Sequence, residues 1–177
     1  MGTKAFESYF GRPPDGYRST QGRISGDDFQ VLESANFCFD SSVYPSYRPG
    51  QYNNLTTPLE PYRATGTDCL LEIPVAAVPH VRIPLSQSYI KAIGPFVLKL
   101  LRHVQLPDVA IFNTHLQDFY HTPAHEHLGL LKKHFYNRNI DLAETLFTEV
   151  VKILRKRNTS FVKMTDIYET YTGVSGR

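Results

Sequence analysis

No apolar run in the 177-residue chain approaches the ~18 residues that a membrane-spanning helix needs, so a bilayer is not its expected setting. The stretch from Met1 to Phe10 lacks an apolar segment closed by a small-residue cleavage site, so no secretory signal is visible and the cytoplasm is the default location. Cysteine is scarce. Cys38 and Cys69 are too few for a disulfide framework, and both sit in apolar, strand-like runs that read as buried free thiols. A concentrated basic face is also missing: the net charge is +2, and the cluster Lys152, Arg155, Lys156 and Arg157 closes a predicted helix, where cations complement the dipole. Nucleic acid is therefore not an expected partner. The absence of a serine-centred nucleophile elbow and of a Gly-rich phosphate loop argues against a serine hydrolase or a nucleotide enzyme.

What is present is an alternation of short apolar runs with helix-like or loop-like stretches, without internal repeats, at a length that suits one compact domain over residues 1–177. Gly16-Tyr17-Arg18 reads as a strand end. Ser25 then caps a helix with Asp28 in its first turn and Phe29 and Leu32 at helical spacing, ending near Asn36. Phe37 to Asp40 is a second strand, and Ser41 to Thr67, rich in Pro, Tyr, Gly and Asn, is a loop long enough to be functional. Cys69 to Ile73 forms a third strand and Val109 to Asn113 a fourth. Between them Phe96 to Val104 is helical, with Val97, Leu100, Leu101 and Val104 on one face. Thr122-Pro123 supplies a cap and a first-turn proline for a helix carrying Leu128, Leu130 and Leu131. Asp141 to Arg157 is an amphipathic helix with Leu142, Leu146, Val150, Ile153 and Leu154 as its stripe, followed by a short strand at Ser160 to Lys163 and a short helix at Thr165 to Tyr171. The expected class is α/β, compatible with part of a parallel (β/α) barrel.

Arg18, Asp40 and His115 each fall at or just past the C-terminal end of a predicted strand, the ends that converge on one mouth in a parallel barrel. Their surroundings are Tyr17-Arg18-Ser19-Thr20-Gln21-Gly22, Phe39-Asp40-Ser41-Ser42-Val43-Tyr44-Pro45 and Ile111-Phe112-Asn113-Thr114-His115. In that order they resemble the third, fourth and fifth motifs of the polysaccharide deacetylases, the chitooligosaccharide deacetylase-like carbohydrate esterases. Leu71-Glu72-Ile73-Pro74-Val75 and the terminal helix-strand-helix look similar to that family too, so the likeness runs from about Gly16 onward. The resemblance implies a deformed parallel α/β barrel and metal-assisted hydrolysis of acetyl groups, amide or ester, on an amino-sugar polymer or oligosaccharide. It gives Arg18 the task of orienting a catalytic carboxylate, Asp40 that of holding the histidine, and His115 that of protonating the leaving amine. A positioned acid of this kind contributes about 10²–10⁴-fold in rate. The resemblance also implies that a backbone N–H near Gln21-Gly22, where the family often has Tyr-Gly, helps to stabilise the oxyanion.

The chain departs from the family pattern. Paired aspartates and two histidines four apart normally precede the arginine motif, and neither is found among the 17 residues before Arg18. The N-terminal strands of the barrel are accordingly expected to be missing. The divalent metal, zinc by preference, would take its ligands from a missing segment or a separate chain, and a second chain or a homo-oligomer would complete the barrel. Ser19-Thr20 replaces the usual proline, and the fourth motif's tryptophan has no counterpart because the chain has none. Asp118, His121, His125 and His127 are an alternative ligand set, but His125 and His127 would point about 200° apart on a helix, so the stretch reads as a solvated helix start and no metal ligand is assigned. Tyr44, Tyr47, Tyr52 and Tyr62 either stack on sugar rings or pack the loop, Tyr44 and Tyr47 being the assigned substrate contacts. The alternative to hydrolysis is an inactive, carbohydrate-binding half-barrel.

Overall fold

In the computed structural model, which describes residues 2–174, the chain divides into two compact units, one running to Val75 and resuming at Val162, the other spanning Ala76–Phe161. The first opens with helix α1 (Gly2–Phe10) and strand β1 (Gly16–Tyr17), then a 3₁₀ turn at Thr20–Gly22 and helix α2 (Gly26–Ser34). Strand β2 (Phe39–Asp40), the hairpin of β3 (Tyr47–Arg48) and β4 (Tyr52–Asn53), β5 (Tyr62–Arg63) and β6 (Leu71–Glu72) follow. The second unit begins with the hairpin of β7 (Ala77–Val78) and β8 (Ile83–Pro84) and continues through α3 (Gln87–Ile93), α4 (Phe96–His103), α5 (Pro123–Glu126), α6 (Leu130–Asn137) and α7 (Ala143–Arg155). Helix α8 (Met164–Thr172) belongs to the first unit again. The class is mixed α/β. Among the described residues no helix is long and apolar enough to cross a membrane.

The sheet of the first unit has the order β1-β2-β6-β5 and is open, with β1 and β5 at its edges. β1, β2 and β6 run parallel, so their C-terminal ends share one edge; β5 lies antiparallel to β6. Residues 70–73 are buried throughout, as suits a strand covered on both faces. Helix α2 starts where the sequence places it: the Asp28 carboxylate accepts from the Ser25 N–H at 2.8 Å and from its hydroxyl at 2.7 Å, and Asn36 at φ 61° ends it in the left-handed region. Its Phe29 and Leu32 pack with Val43, Ala64 and Leu70. Glu33, on the same helix, gathers the N–H groups of Asp68, Cys69 and Leu70 on a single oxygen, at 2.8, 2.7 and 3.2 Å. That clamp fixes the approach to β6. It also leaves Cys69 exposed, its thiol donating to Glu33 at 3.3 Å, and Cys38 half-buried, so neither is the fully buried thiol that its apolar neighbours suggest.

In the second unit Val97, Leu98 and Leu101 of α4 meet Leu146, Val150, Ile153 and Leu154 of α7, with Ala76, Val78, Leu85 and Ile90. Leu100 and Val104 pack at the margin of this core, while Leu142 falls outside α7 and is exposed.

Several elements differ from the sequence expectation. Residues 160–163 are exposed and form no strand, because no neighbouring strand offers them a ladder. Val109 to Asn113 forms no continuous strand, only isolated bridge positions at Ile111 and Asn113, the latter parallel to Ser86. The segment Ser41 to Thr67 contains a hairpin and an edge strand, and α1 and α3 occupy stretches whose short, mixed composition signals no helix. The helix expected after Thr122 is split in two at Leu128-Gly129, and Leu130 and Leu131 are 87% and 89% exposed.

Candidate functional site

The C-terminal ends of β1, β2 and β6 bring Arg18, Asp40 and Glu72 to one edge of the sheet. Asp40 and Glu72 are register partners, and both are 0% exposed. The chain builds a polar cradle for Asp40 from its own next two residues. Ser42 donates its N–H to Oδ2 at 2.9 Å and its hydroxyl to Oδ1 at 2.7 Å, while the Ser42 oxygen accepts the Ser19 N–H at 2.7 Å. Arg18 donates through Nε to the Ser41 carbonyl at 2.7 Å and through a terminal nitrogen to the Ser41 hydroxyl at 2.6 Å. The guanidinium is thereby held in a fixed orientation next to the acids.

Glu72 stands between Asp40 on β2 and Tyr62 on β5, its register partners on either side. One of its carboxyl oxygens accepts the Val43 N–H at 3.0 Å. Burial, the hydrogen bond and charge of Asp40 raise its pKa well above the ordinary carboxylate range, against smaller opposing effects from the Val43 N–H and Arg18. Tyr62 is shifted upward as well, by burial first and then by the charges of Glu72 and Asp40. Glu72, Ser42 and Tyr62 are functional candidates that the motif reading passes over. The signal for Glu72 is an acid inside the otherwise apolar run Leu70 to Val78, since a buried polar residue is the informative exception.

Gln21 and Gly22 lie in the turn after Arg18, both at positive φ, 62° and 65°. A Cβ on Gly22 would meet the Tyr44 ring at 2.7 Å, so glycine here permits Tyr44 to seat. The Gly22 N–H donates to the Ser19 carbonyl at 3.3 Å within this turn. Tyr44 is half-buried and stacks on Tyr52 with ring centroids 6.1 Å apart; Tyr47, on the hairpin, is 56% exposed. A cleft of about 470 Å³ opens beside Arg18 and Ser41, floored by Tyr17, Phe39, Phe6 and Met164.

His115 lies in the second unit, on an exposed turn. Its N–H donates to Asp118 Oδ2 at 2.9 Å, and its Nε2 is 3.2 Å from the Asn113 amide nitrogen. Asp118 is fully buried and also accepts the Ser88 hydroxyl at 2.5 Å. The His-rich stretch is a helix start solvated only in part: His121 and His127 are exposed, but His125 is not. His125 is 4% exposed, stacks on Tyr136 at 6.0 Å, and accepts the Thr122 N–H on Nδ1 at 3.4 Å. Burial lowers its pKa, Lys91 and His121 push the same way, and Asp118 opposes them. Lys91 is itself buried and donates to the Tyr136 carbonyl.

Among the described residues no three His, Cys, Asp or Glu side chains converge as a metal ion requires. The described residues by themselves thus do not offer the ligand set of the divalent ion that the family resemblance implies. No protein-family model, curated protein or solved structure matches the chain significantly.

Proposed function

We propose that the chain is a polysaccharide deacetylase-like hydrolase component, acting on acetyl groups of an amino-sugar polymer or oligosaccharide. The observation that carries this reading is the fixed Arg18 and the buried Asp40 at the C-terminal ends of adjacent parallel strands, where open α/β sheets present ligands and catalytic groups. The open sheet is read as a portion of a deformed (β/α) barrel. The reaction needs a divalent ion, zinc by preference, whose ligands would come from outside the described residues, from another segment or a second chain. What this chain contributes is then confined to its own side chains. Arg18 orients a carboxylate and Asp40 holds a negative charge in a dry, hydrogen-bonded site, while the task of protonating the departing amine comes to His115, in the other unit, from the family resemblance alone. The cleft beside Arg18 and Ser41 is of a size suited to a sugar residue, and its aromatic floor suits the apolar face of such a ring.

The test is acetate release from acetylated chito-oligosaccharides with zinc supplied, alongside equilibrium binding of acetylated and fully deacetylated oligomers. Acetate release that falls about 10²–10⁴-fold in Asp40→Asn and in His115→Ala supports the reading. Acetylated oligomers that bind without losing acetate would support the inactive carbohydrate-binding alternative, to which the exposed Tyr47 ring is suited. Absence of binding by either oligomer together with no acetate would refute both.

A further inference from the structure

Asp40 and Glu72 form a pair whose hydrogen bonds do not balance if both are ionised. Asp40 has a donor on each oxygen, both from Ser42. Glu72 has the Val43 N–H on Oε1, while its Oε2 is buried and has no donor among the described residues. An ionised Glu72 would therefore leave a desolvated, unsatisfied anionic oxygen facing a second buried acid, the arrangement that costs most in a protein interior. A single proton resolves both faults, because a carboxylic acid supplies the missing donor and removes the like-charge contact.

We propose that Glu72 is a positioning residue for Asp40: its side chain stands as the neutral carboxylic acid and donates its proton across the β2–β6 pairing, so that the pair carries one negative charge. The charged and titratable groups facing it are Asp40 on β2, Tyr62 on β5 and Arg18 after β1. Tyr62 remains protonated beside this charge, and Arg18, whose charge favours ionised Glu72, opposes the proton with less effect than burial and Asp40 have in holding it. The consequence is an Asp40 carboxylate locked on both flanks, by Ser42 within its own strand segment and by Glu72 from the next strand. What that carboxylate does in a reaction rests on the hydrolase reading; the proton on Glu72 does not.

The experiment is infrared spectroscopy of the whole chain at neutral pH in H₂O and D₂O. A protonated carboxyl absorbs above the carboxylate and amide bands, and its band moves on deuteration. The expected result is such a band in the wild-type protein and its loss in Glu72→Gln, whose amide keeps both an acceptor for Val43 and a donor for Asp40. Urea unfolding supplies the second readout. With its pKa raised in the folded state, Glu72 favours folding most below the ordinary Glu value and loses that advantage as pH rises. The wild-type unfolding constant should rise relative to that of Glu72→Gln by up to about tenfold per pH unit above that value, until the folded-state pKa is reached. Absence of the band in the wild-type protein at neutral pH overturns the proposal, whether or not the variant folds. So does a Glu72→Gln to wild-type stability ratio that stays constant with pH. A band present in a protein that releases no acetate would sink the hydrolase reading alone.

Discussion

Replacing Ser42 by alanine probes the whole cradle around Asp40, because one hydroxyl serves two partners in it. The Ser42 oxygen accepts the Ser19 N–H at 2.7 Å and its proton goes to Asp40 at 2.7 Å, with the residue wholly buried. Losing a hydrogen bond to a charged acceptor costs about 1.5–3 kcal/mol, and the bond to a half-buried backbone N–H about 0.5–1.5 kcal/mol. The Ser42 N–H still reaches Asp40 at 2.9 Å, so the carboxylate keeps one donor from this residue and the total should lie near 2–4 kcal/mol. Ser41→Ala is the matched control. Ser41 is buried too, but in the contacts described above its hydroxyl serves only Arg18, which keeps its bond to the Ser41 carbonyl, so the loss should be that of one bond to a charged donor, near the lower end of about 1.5–3 kcal/mol and smaller than in Ser42→Ala. Urea titrations read both, with amide exchange at Ser19 as the local probe. Equal losses in the two variants, or no faster exchange at Ser19 in Ser42→Ala, would refute the cradle.

Gly22→Ala should destabilise by about 2–4 kcal/mol, since it combines a left-handed backbone with a Cβ driven 2.7 Å from the Tyr44 ring; a urea midpoint unchanged from wild type would show that the turn relaxes freely. Leu101→Ala, in the core between α4 and α7, should cost about 2–5 kcal/mol, read by the same titration, and a loss under 1 kcal/mol would mean this core is loosely packed. His125 has its pKa lowered in the folded state, so its contribution is present above the ordinary histidine value and is lost as pH falls below it. The stability of His125→Phe should therefore gain on wild type below about pH 6.5, by at most about 1.4 kcal/mol per pH unit, and parallel pH profiles for the two proteins would exclude that titration.

Elements carried by local rules could be read directly from the residues. Ser25 with Asp28 starts α2 and Asn36 ends it, and the spacing of Leu146, Val150, Ile153 and Leu154 marks the buried stripe of α7. The strand end at Asp40 was legible because the short apolar run Phe37-Cys38-Phe39 stops there at a polar residue, and Gly16-Tyr17 likewise gives way to the charged Arg18, which placed both residues at the strand ends. Such signals depend on a few neighbouring residues and on the 3.6-residue or two-residue period, so they survive without knowledge of the rest of the chain.

Pairing depends on partners far away, and that is what the tertiary structure decided. Residues 160–163 have strand-like composition but no ladder to join, whereas Tyr62-Arg63, inside an apparent loop, becomes an edge strand because Leu71-Glu72 offers it one. His125 looked solvated from its polar neighbours and is buried because Tyr136 of α6 covers its ring. Glu72 was visible only as an acid in an apolar run; parallel register with Asp40, 32 positions earlier, turned it into half of a buried acid pair. The sequence determined by itself which residues favour a helix start, a strand end or a turn, since those choices are local. Which carboxylates share a proton, which tyrosine faces them and which histidine leaves water follow from long-range packing, where the free energy of burial is settled by neighbours that the linear order does not reveal.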